Sequence, residues 1–142
     1  MNKKLLDISS LESAIAQLQK AYDFSISKIA VENKDLFEQF RNSTVQCFEF
    51  TFELSWKFIK RILELEHPNP QQIDQMDYKD LIREAATRGL INNPEVWFEF
   101  RRLRNISSHA YDRSKAEQVY LASTDFLKES SVLLKNLKLK NR

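Results

Sequence analysis

A single glycine, Gly89, in 142 residues leaves almost no material for the tight turns that β-hairpins require. Prolines number three, and two of them fall together in Pro68-Asn69-Pro70, so long stretches carry no helix breaker. These shortages exclude a sheet-based fold and indicate an all-α chain. One cysteine, Cys47, cannot make an internal disulfide, and its apolar neighbours predict a buried thiol of the kind a reducing compartment tolerates. No apolar run approaches the roughly 18 residues of a membrane span. Met1-Asn2-Lys3-Lys4-Leu5-Leu6-Asp7 places only two apolar residues between its lysines and an acid, which fits no secretory signal. A cytoplasmic location without membrane association is therefore expected. The formal net charge of +2 is too small to draw nucleic acid to the whole surface, so any phosphate affinity must be local. With 42% hydrophobic and 30% charged residues, the chain is one ordinary domain with a true core.

The apolar spacing divides the chain into five helices. A first opens at Ser9, with Ser9 and Glu12 at capping-box spacing, and carries Leu11, Ile15, Leu18, Tyr22 and Ile26 to an end near Ala30. The second is the longest, opening at Asp35 with Glu38 and running from Leu36 to Leu65 until Pro68 stops it. Its stripe is Phe37, Phe40, Thr44, Cys47, Thr51, Leu54, Phe58, Ile62 and Leu65, while Phe48, Phe50, Phe52 and Trp56 add apolar surface elsewhere. A helix so widely apolar is the central one, or faces a second copy of the chain. Gln71 to Gln75 is a polar connector. The third helix runs from about Asp77 to Arg88, with Gly89 at the left-handed C′ position. Asn93-Pro94-Glu95 supplies an N-cap, an N1 proline and a first-turn acid for the fourth, which sends Val96, Trp97, Phe100 and Leu103 inward. Ser114 and Glu117 open the fifth, through Val119, Leu121, Phe126, Leu133 and Leu137, and the basic tail from Lys135 to Arg142 is expected to fray.

The fourth helix ends in the stretch least suited to packing. Phe98-Glu99-Phe100-Arg101-Arg102-Leu103-Arg104-Asn105-Ile106-Ser107-Ser108-His109-Ala110-Tyr111 gathers three arginines, Asn105, His109 and Tyr111, a mixture suited to an anion. Asn105 and His109 are four apart and would share a face with Arg101 or Arg102. Arg104 and His109 are five apart, so an unbroken helix separates them by roughly 140°. They converge only if the helix ends between them, as the Ser107-Ser108 pair allows, or if a second copy completes the site. Histidine moves protons near neutral pH, and an arginine beside it can hold a phosphate and stabilise developing charge. Those roles suffice for metal-independent RNA cleavage, in which the 2′-hydroxyl is the nucleophile. The plain alternative pairs the arginines with Glu95 or Glu99 on neighbouring turns and leaves His109 a structural histidine.

Other chemistry has little support. Asp74, Asp77 and Asp80 step by three, which a helix start and a solvated connector explain without metal, and no metal or cofactor is expected. His67 precedes Pro68 in a turn and is expected to be exposed. Glu49 and Glu53 are four apart in the phenylalanine-rich segment and either line a cleft or pair with Lys57 and Arg61. Without a glycine-rich phosphate loop, or a Gly-Ser followed by paired aspartates, the chain is not itself a nucleotidyltransferase of the two-metal kind.

Two stretches carry a family resemblance. Gln46-Cys47-Phe48-Glu49-Phe50-Thr51-Phe52-Glu53-Leu54-Ser55-Trp56-Lys57 resembles the long-helix signature of the small all-α nucleotidyltransferase substrate-binding proteins. Arg104-Asn105-Ile106-Ser107-Ser108-His109-Ala110-Tyr111 is similar to the Arg-x4-His-x-Tyr motif of the HEPN superfamily, in its HepT-like branch, with Trp97 ahead of it and Asp112 after it. The resemblance implies an up-and-down bundle of four or five helices, a homodimer, and a separately encoded minimal nucleotidyltransferase as partner. Two functions attach to it. In one, the helical subunit offers a cleft for the partner's substrate, here Glu49, Glu53, Trp56 and Arg101 as candidates. In the other, the dimer is an RNase toxin that the partner silences by adding AMP to the motif tyrosine. Carried over by position, Arg104 would bind phosphate, His109 transfer protons and Tyr111 be modified, with Asn105 as the frequent second motif residue.

Overall fold

A computed structural model describes residues 6–109 and 111–141. Seven helices follow in order: α1 (Ser9–Ser25), α2 (Lys28–Glu32), α3 (Lys34–Glu66), α4 (Pro70–Asp74), α5 (Tyr78–Thr87), α6 (Pro94–Ser107) and α7 (Arg113–Lys140), with no strand among the described residues. The long ones, α1, α3, α6 and α7, form the bundle. Arg113 meets Glu38 at one end and Lys140 meets Glu66 at the other, so α3 and α7 run parallel. α1 opposes them, for Glu12 reaches Lys138 while Ser25 bonds Tyr120 at 2.7 Å. α6 also opposes α7: Leu90, just before it, accepts from the Asn136 amide, and Arg102 near its end reaches Gln118. This is the expected up-and-down arrangement, with α2, α4 and α5 as short additions.

The expected helix starts stand, but most are capped from further upstream. Asn33, not Asp35, caps α3, its side-chain oxygen accepting from the amides of Asp35 and Leu36 at 3.1 and 3.2 Å. Asp112 does the same for Ser114 and Lys115 at the head of α7, in place of a Ser114–Glu117 box. Asp7 takes the Ser9 amide at 3.0 Å, which holds its carboxyl below the usual carboxylate range and displaces the Ser9–Glu12 box. An Asn or Asp two residues before a helical amide needs no partner further along the chain. Asn93 caps α6 as expected, and Asp77, at the expected start of α5, caps that helix. Gly89 has φ +78°, and the Leu90 and Gly89 amides bond the carbonyls of Ala85 and Ala86, a Schellman closure of α5.

Four expectations fail. The first helix does not continue to Ala30: Ser25 and Ser27 turn their hydroxyls onto the carbonyls of Tyr22 and Phe24, and Ser27 caps the new helix α2. The 71–75 connector is helix α4, launched by Asn69 and Pro70 and anchored by the fully buried Ile73. The basic tail does not fray before Lys140, because Leu137 is buried and Asn141 exchanges two hydrogen bonds with the Leu6 backbone. The buried stripe of α3 is Val45, Phe48, Phe52, Ile59 and Leu63, with Thr44, Thr51 and Ile62 beside it. Phe50 and Leu65 are exposed, as are Ile26 of the first stripe and Leu121 of the last. Arg142, the last residue of that tail, lies outside the described residues.

The core is aromatic where α3, α6 and α7 meet. Phe126 stands edge-on to Phe48 (4.8 Å), Phe100 (5.0 Å) and Trp97 (5.9 Å), and all four rings are buried. Tyr78 on α5 donates its hydroxyl to the Trp97 carbonyl at 2.9 Å. These contacts fix α6 against α3 and thereby set where the arginines of α6 can reach.

Candidate functional site

α6 carries its arginines to three different fates. Arg102 faces outward and grips Glu99 one turn back, with nitrogen–oxygen distances of 2.6 to 3.1 Å. That pair holds the Glu99 carboxyl below its usual range and raises Arg102, and the plain surface reading describes it fully. Arg104 points across to α3. Its Nε donates to Glu53 Oε1 at 3.0 Å and its Nη1 lies 3.4 Å from Glu49 Oε2. Glu49 and Glu53 therefore pair with Arg104 rather than with Lys57 or Arg61. Arg101 lies with its guanidinium carbon 4.6 Å from the centre of the Tyr78 ring and has no carboxylate partner among the described residues.

Glu53 has a second task, because its other oxygen accepts from the Trp56 indole N–H at 3.2 Å. Arg104, Glu53 and Trp56 thus form one chain along the wall of a cleft of about 380 Å³ between α3, α5 and α6. Phe52, Met76, Tyr78 and Leu81 supply its apolar lining, while Lys60, Arg101 and Asn105 stand with Arg104 around it. Lys60 is held by Asp74 at 2.8 Å, and that contact raises its pKa. Burial pushes the Tyr78 phenol far above its ordinary value, so it stays protonated. A more open groove that shares Glu53 and Arg104 with the cleft is lined also by Gln46, Glu49 and Phe50.

His109 and Tyr111 lie beyond the end of the helix. α6 ends at Ser107, as the Ser pair allows, and the chain turns with the Asp112 amide on the His109 carbonyl at 2.9 Å. His109 Nδ1 and the Tyr111 hydroxyl are 2.9 Å apart, the rings are edge-on at 5.7 Å, and Tyr111 is 84% exposed. The His109 amide still bonds the Ile106 carbonyl at 3.0 Å, and no hydrogen bond joins His109 to Arg104 within the chain among the described residues. Glu53, Trp56, Arg101, Arg104 and Asn105 are brought together at the cleft, Glu49 lines the neighbouring groove, and His109 and Tyr111 stand apart on the turn.

The sequence of the chain matches, over residues 6–139, the family described as "Nucleotidyltransferase substrate binding protein like". It belongs to that family. A curated relative, "Probable ribonuclease HepT" of Haemophilus influenzae, is 37% identical over 144 residues, covering all of this chain and 95% of that protein. A solved Haemophilus influenzae structure, titled as revealing the fold of a substrate binding domain of a nucleotidyltransferase, superposes with a TM-score of 0.88 at 34% identity. The match covers 93% of this chain and 99% of that one. A crystal structure from Thermus thermophilus shares the fold at TM-score 0.68 and 21% identity, over 89% and 98% of the two chains.

Within this member of the substrate-binding family, the cleft residues Lys60, Met76, Tyr78 and Leu81 escaped sequence reasoning. Lys60 and Leu81 belong to ordinary amphipathic patterns and Tyr78 to a helix start, so no local spacing marks them as partners of Arg101. Asp74, Asp77 and Asp80 serve as a lysine partner, a helix cap and an Arg83 partner, respectively. His67 is half-buried and accepts the Asn69 amide on Nδ1 at 2.9 Å, which orders the turn before α4 instead of leaving the ring free. Cys47 is partly buried, and burial raises its thiol pKa.

Proposed function

We propose that this chain is the helical partner subunit of a separately encoded minimal nucleotidyltransferase, and that its Arg-x4-His-x-Tyr motif is a metal-independent RNase site silenced by the partner. Membership of the substrate-binding family and the likeness to a probable ribonuclease support the pairing and the activity respectively. The observation that supports the site is the end of α6 at Ser107, which leaves His109 on the turn that follows while Arg104 stays on the helix. In a homodimer, Arg104 would hold the scissile phosphate and His109 would move the proton of the attacking 2′-hydroxyl. Exchange of Glu49 and Glu53 for phosphate at Arg104 is a local step, since each is a half-buried carboxylate on the same guanidinium. The exposed Tyr111 hydroxyl, bonded to His109, is the group that would attack the α-phosphate of an ATP held by the partner, taking the adenylyl group with release of pyrophosphate and losing its bond to the imidazole.

The test is RNA cleavage by purified protein in chelator. Wild type should cut and His109→Ala should not; equal rates remove the RNase role. Co-expression with the neighbouring nucleotidyltransferase and mass spectrometry should then find an adenylyl group on Tyr111. A second reading, a non-catalytic subunit that offers the cleft to the partner's substrate, is favoured by the cleft's mixed aromatic and cationic lining. It predicts co-purification with the partner in the absence of any RNA cleavage.

A further inference from the structure

We propose that the cleft between α3, α5 and α6 is a nucleotide subsite, taking one unit of single-stranded RNA with its base against Trp56 and its phosphate on Arg101. The choice of RNA rests on the RNase reading above; the chemistry of the pocket does not. Of the cations around this cleft, Lys60 is committed to Asp74 and Arg104 to Glu49 and Glu53. Arg101 alone lacks an acidic partner among the described residues, and its guanidinium lies 4.6 Å from the centre of the Tyr78 ring in the lining of the pocket. A guanidinium beside an aromatic ring keeps N–H groups available to a phosphate, to which it can donate two parallel hydrogen bonds.

The other half of the pocket suits a planar ring. Trp56 is half-buried with its indole edge pinned by Glu53, so the ring is oriented before any ligand arrives. Phe52, Met76 and Leu81 make the floor apolar, and about 380 Å³ admits a base with its ribose. Asn105 sits one turn after Arg101 on the same face of α6, and its amide offers both a donor and an acceptor to a base edge. Apolar body, oriented aromatic, uncommitted arginine and a lone amide together describe a nucleotide better than they describe an inorganic anion or an aliphatic substrate.

Tryptophan fluorescence reads this directly, because the only other tryptophan, Trp97, is fully buried in the core. The protein used is His109→Ala, which cannot consume the probe. A short oligoadenylate should quench Trp56 saturably, and the signal should vanish in a Trp56→Phe background. Arg101→Ala and Trp56→Ala, the latter followed by filter binding, should each weaken binding about tenfold. Adenosine, which lacks the phosphate, should bind at least tenfold more weakly than the oligonucleotide. Absence of quenching, or binding unchanged within twofold by both substitutions, overturns the proposal. Cleavage by wild type with no dependence on Trp56 or Arg101 leaves the RNase reading standing and removes this subsite. Oligonucleotide binding without cleavage does the reverse.

Discussion

The cleft and the α6–α7 turn hold the two halves of one motif by opposite means. Arg104 is fixed by groups 51 residues away in sequence and by the aromatic cluster that sets α6 on α3. Among the described residues, the hydrogen bonds of His109 are to neighbours: Tyr111 two residues on, and the turn closed by Asp112. Half-buried carboxylates and long-range packing make the first region rigid, while the second can reorient at little cost. In the proposed RNase, Arg104 would have to exchange its carboxylates for phosphate while His109 sits on a turn that a second subunit would approach.

That contrast can be broken at several points. The largest effect expected is on chemistry: His109→Ala should lower RNA cleavage by about 10² to 10⁴-fold, yet leave the melting temperature nearly unchanged, because among the described residues its side-chain hydrogen bond is to the exposed Tyr111. A fall in melting temperature would show that the turn is structural. Phe126→Ala should act the other way, costing about 3 to 5 kcal/mol in chemical denaturation by emptying the ring that Phe48, Trp97 and Phe100 surround. Asp112→Ala removes the cap of α7 and should cost about 1 kcal/mol while loosening the His109 turn, visible as faster amide exchange there. Glu53→Gln should alter stability by less than about 1 kcal/mol, since the pair is partly solvated, yet raise the solvent accessibility of Trp56 to a soluble quencher. Arg102→Ala is the smallest, under about 0.5 kcal/mol with cleavage unchanged. Its pH dependence has a definite sign. Glu99 is depressed in the folded state, so the pair contributes above the ordinary carboxylate range and fades as pH falls through the lowered value; wild type and variant should converge in acid.

Much of the architecture was legible because helices announce themselves locally. The spacing of Trp97, Phe100 and Leu103, the Asn93-Pro94 start and the Gly89 stop depend on residues within one or two turns, and each stands in the structure. The α3 stripe was misjudged because apolar residues on several faces offer more than one continuous track. Contacts with α1, α6 and α7 chose Phe48 and Phe52 over Phe50 and Leu65. For the site, the helix does end between Arg104 and His109, yet no hydrogen bond joins the two within the chain among the described residues.

By itself the sequence determined the all-α class, the four long helices and the segment that carries the motif, since those follow from short-range periodicity and the scarcity of glycine and proline. The partners of the motif arginines came from tertiary structure alone. Arg101, Arg102 and Arg104 look interchangeable along the chain, and it is the angle at which α6 packs on α3 and α5 that sends one to an aromatic ring, one to solvent and one to a pair of carboxylates. Side-chain fate on a helix is set by what lies opposite it, and that information is spread over residues dozens of positions away.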